Sequence, residues 1–372
     1  MPGKLPLARP FYDRLDIEAV RRVLDSRWVA QGPVVEEFER RFAAYCGTKY
    51  GVAVNSATSA LYLALIALGI KRGDEVIVPD FTFPATGNVV LALGARAVLA
   101  DIDPTTYCID VSDAAKKVTE RTRAIIPVHI FGHPADMDAV SSLAEAKGLA
   151  VLEDAACAHG TMYKGRMAGS LGDLAAFSFH ARKVISTGEG GMVLTDRKKV
   201  AEHIGALRSH GMFQSAWRRE QRFSLPSFKI LGYNMRMSDV TAALGLSQLA
   251  RVEDFINKRR ALAAVYNELI RDSGLPVATP SEAEGCKHNY QTYCVRLLKG
   301  KRDRVLRRLL AAGIGCTIGT YSLGLLPLFK GRCPEGRRAF RTTLALPMFH
   351  ELTDDGVVRV VGELKKALRA ES

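Results

Sequence analysis

Six short apolar runs, spread over residues 75–196 and separated by segments of helical pattern, limit the fold of this chain more than any other feature. They are EVIVPD (75–80), ARAVLADID (95–103), AIIPVHIF (124–131), LAVLEDAA (149–156), LAAFSFH (174–180) and GGMVLTD (190–196). Several lack polar alternation, the pattern of strands covered on both faces. Helical stretches lie between them, such as 59–68 and Met137–Lys147. This alternation predicts an α/β fold, a large domain with a mostly parallel sheet between helices.

Beyond about residue 250 the texture changes. A charged helical pattern runs over 240–270, followed by the strand candidate HNYQTYCVRLL (288–298), a basic helix, and a strand-and-turn region ending at LALPMF (344–349). The last stretch reads as a helix opened by Thr353, with acidic residues in its first turn. The prediction is a large domain over residues 1–250, including the N-terminal segment, and a smaller C-terminal α+β domain over 251–372.

Bulk properties narrow the class. A chain of 372 residues can bury a large core without disulfides or metals, and 48% hydrophobic with 24% charged residues is ordinary for a soluble globular protein. No apolar run is long enough to cross a bilayer, and the opening MPGKLPLARPFYDRLD lacks the apolar stretch of a secretory signal. A cytoplasmic protein with no membrane partner is expected. The seven cysteines are scattered and form no C-x-x-C pair, so neither a disulfide framework nor a metal site is expected. The net charge of +13 fits either nucleic-acid binding or attraction of an anionic small molecule such as a nucleotide diphosphate. Basic residues cluster at 218–222 and 301–308, and the second run alternates with apolar residues as a solvated helix face does. No zinc-finger pattern, ribonucleoprotein motif or helix-turn-helix accompanies them, which weighs against a nucleic-acid partner.

Three clusters can carry chemistry. In FSFHARKVISTGEGGMVLTD (177–196), a buried strand ends at Ser178, Phe179 and His180, and Lys183 follows before a glycine-rich turn. Such a lysine, partly desolvated beside a cofactor, is a nucleophile; taken alone, it reads better as a solvated loop lysine. In LAVLEDAACAHG (149–160), an apolar strand delivers Asp154 at its carboxyl end, where ligands of α/β sheets sit. A carboxylate there can keep a pyridine nitrogen protonated, but a turn or N-cap aspartate looks the same. In VAVNSATSALYLAL (52–65), Ser56, Thr58 and Ser59 open an apolar helix, which suits a phosphate and equally suits ordinary capping.

The order of these clusters is more specific than any one of them. Together with SRWVAQGPVVEEFERRFAAYCGTKYGVAVNSATSALYLAL, PDFTFPATGN, VHIFGHPADMDAV, LRSHGM and LGYNMRMSDVTAALGLSQL, they make nearly the whole chain resemble the DegT/DnrJ/EryC1/StrS sugar aminotransferase family, within the fold type I pyridoxal-phosphate enzymes. The resemblance implies pyridoxal 5'-phosphate held by Lys183 as an internal aldimine, with Lys183 later moving the proton between substrate and cofactor. It implies Asp154 at the pyridinium nitrogen and Phe83 stacked on the ring. Ala57, through its backbone, with Thr58 and Ser178, would cup the phosphate. Asn234 would reach it from a neighbouring subunit, which makes a homodimer with a shared active site the expected assembly. Cys157 departs from the Gln, His or Glu that the family places near the ring hydroxyl, and a thiol is the poorer hydrogen-bond partner; a neighbour such as His159 can compensate, or the hydroxyl is held less firmly. His180 either contacts the site or finishes the strand. The implied reaction takes an amino group from L-glutamate to a nucleotide-diphospho keto-deoxy sugar. The segments GHPADMD, YKGRMAGSLGD and GYNMRMS most resemble C4-aminating, perosamine-synthase-like members. A C3 aminotransferase and a regulatory protein of the same fold are the alternatives; a dehydratase is disfavoured, since that branch replaces the lysine by histidine.

Overall fold

The apolar runs become largely buried strands. The computed structural model describes residues 3–213, 216–221 and 225–371, so the basic cluster at 218–222 falls partly outside the described residues. Helices α1 (Arg14–Ser26) and α2 (Pro33–Cys46) lead into β1 (Tyr50–Val54), α3 (Ala57–Ala67), β2 (Glu75–Pro79), β3 (Phe81–Thr82) and α4 (Ala85–Ala92). Then follow β4 (Arg96–Ala100), α5 (Val111–Lys116), β5 (Thr122–Ile125), α6 (Met137–Lys147) and β6 (Ala150–Asp154). A small hairpin, β7 (Met162–Tyr163) and β8 (Arg166–Met167), precedes β9 (Leu174–Ser178), β10 (Gly191–Thr195), α7 (Lys198–Leu207), α8 (Ala216–Gln221) and α9 (Asp239–Leu249).

Seven of these strands form one sheet in the order β1-β10-β9-β6-β5-β2-β4, in which β10 alone runs against the rest. Every residue of β2, β9 and β10 is buried, as strands sandwiched between helices must be. On one face Leu61, Leu63 and Leu65 of α3 pack with Val76, Leu152, Ala176 and Val193. On the other, Phe38 and Phe42 of α2 pack with Phe177 and Phe179. Each such aromatic contributes about 1.5–3 kcal/mol by leaving water. The fold is thus α/β with a mostly parallel sheet.

The remaining elements are α10 (Val252–Asp272), β11 (Val277–Ala278), β12 (Cys286–Lys287), β13 (Tyr293–Leu297), α11 (Arg302–Ala311), β14 (Thr317–Ile318), β15 (Tyr321–Ser322), α12 (Pro334–Thr342), β16 (Thr343–Leu346) and α13 (Asp354–Arg369). An antiparallel sheet β11-β13-β16-β14 packs on a second core that includes Leu262, Tyr266, Tyr293, Leu344 and Leu364. Helix α10 serves both cores: Val252, Phe255 and Ile256 belong to the first, Leu262 to Ile270 to the second. Leu5 and Leu7 run along this second unit, exchanging backbone hydrogen bonds with Gly313, Gly315 and Met348. Strand β15 crosses back to pair with β3.

Three sequence readings change in detail. The helical pattern over 240–270 is two helices, because Arg251 leaves helical geometry (φ −121°, ψ 12°) and places its guanidinium between Asp13, which caps α1, and Asp16 of α1. The strand expected over 124–131 stops at Ile125, close to Pro127, which has no N–H to donate; Phe131 then takes a left-handed φ of 58° inside a short turn. In HNYQTYCVRLL only Tyr293–Leu297 is strand, since Tyr290 is left-handed at φ 50°.

Candidate active site

The carboxyl edge of the large sheet gathers the candidate residues. Asp154 is the last residue of β6 and Ser178 the last of β9, with Lys183 in the loop that leaves β9. Asp154 is only 5% exposed. Its Oδ2 accepts from Thr86 Oγ1 at 2.7 Å and its Oδ1 from the Ala156 N–H at 3.2 Å. Burial raises its carboxyl above the usual range, while Thr86, Ala156 and the nearby Lys183 pull it down. A buried carboxylate held by two donors is the chemistry a protonated pyridine nitrogen needs.

The lysine loop is closed by its own backbone. Lys183 N–H donates to His180 O (2.8 Å), Ala181 N–H to Gly188 O (2.9 Å) and Thr187 N–H to Phe179 O (2.9 Å). Lys183 Nζ donates to Cys157 Sγ at 3.1 Å. His180 is held in the same turn: Nδ1 accepts from the Arg182 N–H at 3.2 Å, Nε2 lies 3.8 Å from Glu189, and the side chain is 44% exposed.

At the start of α3, Ser56 Oγ accepts from the Ser59 N–H (3.1 Å) and Ser56 O from the Ala60 N–H (3.0 Å). The N–H groups of Ala57 and Thr58 remain for an external anion, at the positive end of the helix. Ser178 lies opposite Gly191 in the ladder, and a Cβ on Gly191 would sit 2.4 Å from Ser56 C and O. Glycine therefore lets the start of β10 lie against the helix start, bringing Ser178 and Ala57 to one cup. The buried carboxylate, the amine and this cup together fit pyridoxal phosphate.

Phe83 follows β3 and is 63% exposed, so it is not a core aromatic; its ring stands edge-on to Tyr321, centroids 6.2 Å apart. Asn234 is exposed and bridged through its backbone to Ser209. No described hydrogen bond joins its side chain to Lys183, Asp154 or Ser178 of its own chain. His159 does not assist Cys157: its ring is fully buried, 5.5 Å from Phe177 and Phe179 and 6.0 Å from Phe42, and both ring nitrogens lack a partner. Burial pushes its pKa down to about 3, so the ring is neutral. All seven cysteines are free thiols, no metal-holding cluster occurs among the described residues, and no helix among them is long and apolar enough to cross a membrane.

Sequence reasoning missed Thr86, Tyr321, Asn289 and Gln291. Thr86 stood at the helix start inside FTFPAT and could have been read as a hydroxyl donor; the others carry no local signal. A groove of about 650 Å³ between α1, α2 and α9, lined by Trp28, Trp217 and Ala243 among others, contains none of the site residues.

Residues 11–365 match the DegT/DnrJ/EryC1/StrS aminotransferase family. The chain is 37% identical to the spore coat polysaccharide biosynthesis protein SpsC of Bacillus subtilis, over 98% of this chain and 97% of that protein. It is also 37% identical to the GDP-perosamine synthase of Caulobacter vibrioides, over 98% of each. Its fold superposes on the pyridoxal-phosphate form of a putative sugar aminotransferase, Spr1654 of Streptococcus pneumoniae, with a TM-score of 0.92, 28% identity, and coverage of 99% of this chain and 100% of that one. The chain belongs to the DegT/DnrJ/EryC1/StrS aminotransferase family, the pyridoxal-phosphate-dependent sugar aminotransferases.

Proposed function

We propose that this enzyme moves an amino group from L-glutamate to C4 of a nucleotide-diphospho keto-deoxy sugar, releasing 2-oxoglutarate, and that it works in the cytoplasm as a homodimer. The observation that carries the reading is that Lys183, in the loop leaving β9, and the buried Asp154, at the end of β6, share the carboxyl edge of the sheet. Pyridoxal phosphate supplies the electron sink that loosens the proton on the amino-bearing carbon. Lys183 holds the cofactor and, once displaced, takes that proton on Nζ and returns it in the second half-reaction. Thr86 and Ala156 donate to Asp154 and favour its charged form opposite the ring nitrogen, against the burial that raises its pKa. Ala57, Thr58 and Ser178 hold the phosphate, Phe83 covers the ring, and Cys157 stands where the ring hydroxyl is met. His180, in the lysine turn, touches the sugar side.

Two further observations support the details. The relative named GDP-perosamine synthase and the surplus of +13 both suit a nucleotide diphosphate. Phe213, Leu225, Phe228 and Leu231 are exposed apolar side chains on the stretch leading to Asn234, as a surface covered by a second copy would be. We place the division between large and small domains at residues 250 and 251, between α9 and α10.

A panel of nucleotide keto sugars with glutamate, read by product mass and by NMR of the aminated carbon, tests the reading. Amination at C4 with release of 2-oxoglutarate is the expected result. Amination at C3 would move the enzyme to the other branch of the family. Sequence-specific DNA binding with no amino transfer to any sugar would overturn the proposal.

A further inference from the structure

Residues 288–292 lie between the two units, and their buried side-chain donors reach backbone carbonyls of the candidate site. Asn289 is 0% exposed. Its Nδ2 donates to Cys157 O (2.8 Å) and to His159 O (2.9 Å), and its Oδ1 accepts from the Gln291 N–H (2.7 Å). Its backbone N–H donates to Gly132 O at 3.2 Å. The amide fits because Gly132 has no side chain: at φ +96°, a Cβ there would sit 1.7 Å from Asn289 Oδ1. Two residues on, the buried Gln291 donates from Nε2 to the carbonyl of Arg182, the residue before Lys183. The segment is fixed from behind: the buried guanidinium of Arg259 on α10 donates to Tyr290 O (3.2 Å) and Gln291 O (3.1 Å).

Both ends of the 3.1 Å contact between Lys183 and Cys157 therefore rest on one short segment from outside the large sheet. The lysine loop's own hydrogen bonds set its shape. The Gln291 bond ties that shape to the Cys157 turn, which Asn289 holds.

We infer that Asn289 and Gln291 are positioning residues for amino transfer, which seat the Cys157 turn and the Lys183 loop against each other and against Asp154. The inference rests on Lys183 being the cofactor-bearing lysine. An amine displaced by even an ångström is a poor proton carrier although substrate still binds. The second unit thereby reaches the chemistry without touching the reacting atoms.

The test compares the holoenzyme with Gln291→Met, which keeps the shape and loses the donor, and Asn289→Asp, which keeps the acceptor and loses both donors. In Gln291→Met, kcat should fall about tenfold while KM for both substrates stays within about twofold. The pH midpoint of the visible band of lysine-bound cofactor should move by roughly half a unit or more, since the lysine's neighbours change. The inference is overturned if Gln291→Met keeps the wild-type midpoint and kcat, or if its lost activity only tracks lost folded protein with an unmoved midpoint. Gln291→Met decides the matter alone if Asn289→Asp does not fold. A wild-type protein without the visible band would instead refute the role of Lys183.

Discussion

The two ends of the candidate site are built differently. At the closed end, Asp154 is 5% exposed and accepts two hydrogen bonds from its own chain. At the open end, Phe83 is 63% exposed, and Thr58 and Asn234 are exposed as well. The closed end, which on the proposed function meets the ring nitrogen, takes its hydrogen bonds from one chain. On the proposed function, the open end grips phosphate and receives sugar, and substrate and a second copy complete it. Changes at the closed end should strike turnover, whereas changes at the open end should strike binding and depend on assembly.

That contrast can be broken at several points. The largest effect is expected for Lys183→Ala, which removes anchor and proton carrier together; kcat should drop by at least about 10³-fold in a steady-state assay. Asp154→Asn, uncharged but isosteric, should cost about 10²-fold in kcat with donor KM little changed. Thr86→Val removes one hydrogen bond to a charged group, about 1.5 kcal/mol or roughly tenfold in kcat, and Thr86→Ser should recover most of it. At the open end, Asn234→Ala should chiefly weaken cofactor retention on dialysis. Mixing inactive Lys183→Ala chains with Asn234→Ala chains should restore part of the activity, since a hybrid dimer has one intact site; no recovery after verified subunit exchange would mean that the two ends belong to one chain.

An effect on stability and not on turnover concerns His159, which is neutral in the folded protein with a pKa lowered from 6.5 to about 3. Between those values the unfolded chain binds the extra proton, so stability rises with pH. The contribution is present in full above pH 6.5 and is lost as pH falls toward 3. In His159→Phe, the fall in Tm between pH 7 and pH 4 should be smaller than in the wild type, and an equal fall would show that His159 is not the group being titrated.

The same contrast explains what was legible in the sequence. Asp154, Ser178 and Lys183 could be found because each ends or follows a continuous apolar run, a local pattern that places them at the carboxyl edge of a parallel sheet. The paired helices α9 and α10 read as one because the ion pair that separates them joins Arg251 to Asp13 and Asp16, far away in sequence. The segment 288–292 read as strand because its letters alternate suitably, while its partners Cys157, His159 and Arg182 are more than a hundred residues distant. His159 looked like a helper for Cys157 from its spacing; only packing shows that its ring turns into Phe42, Phe177 and Phe179. Local pattern reveals strand ends, and it misses side chains whose work is to join distant segments.

Borohydride reduction of the holoenzyme followed by peptide mass mapping puts Lys183 to the test. One pyridoxyl-modified peptide, carrying its modification on Lys183, is the predicted result. Modification of a different lysine, or no modification in a protein that transfers amino groups at full rate, would contradict the assignment of this residue and of the site built around it.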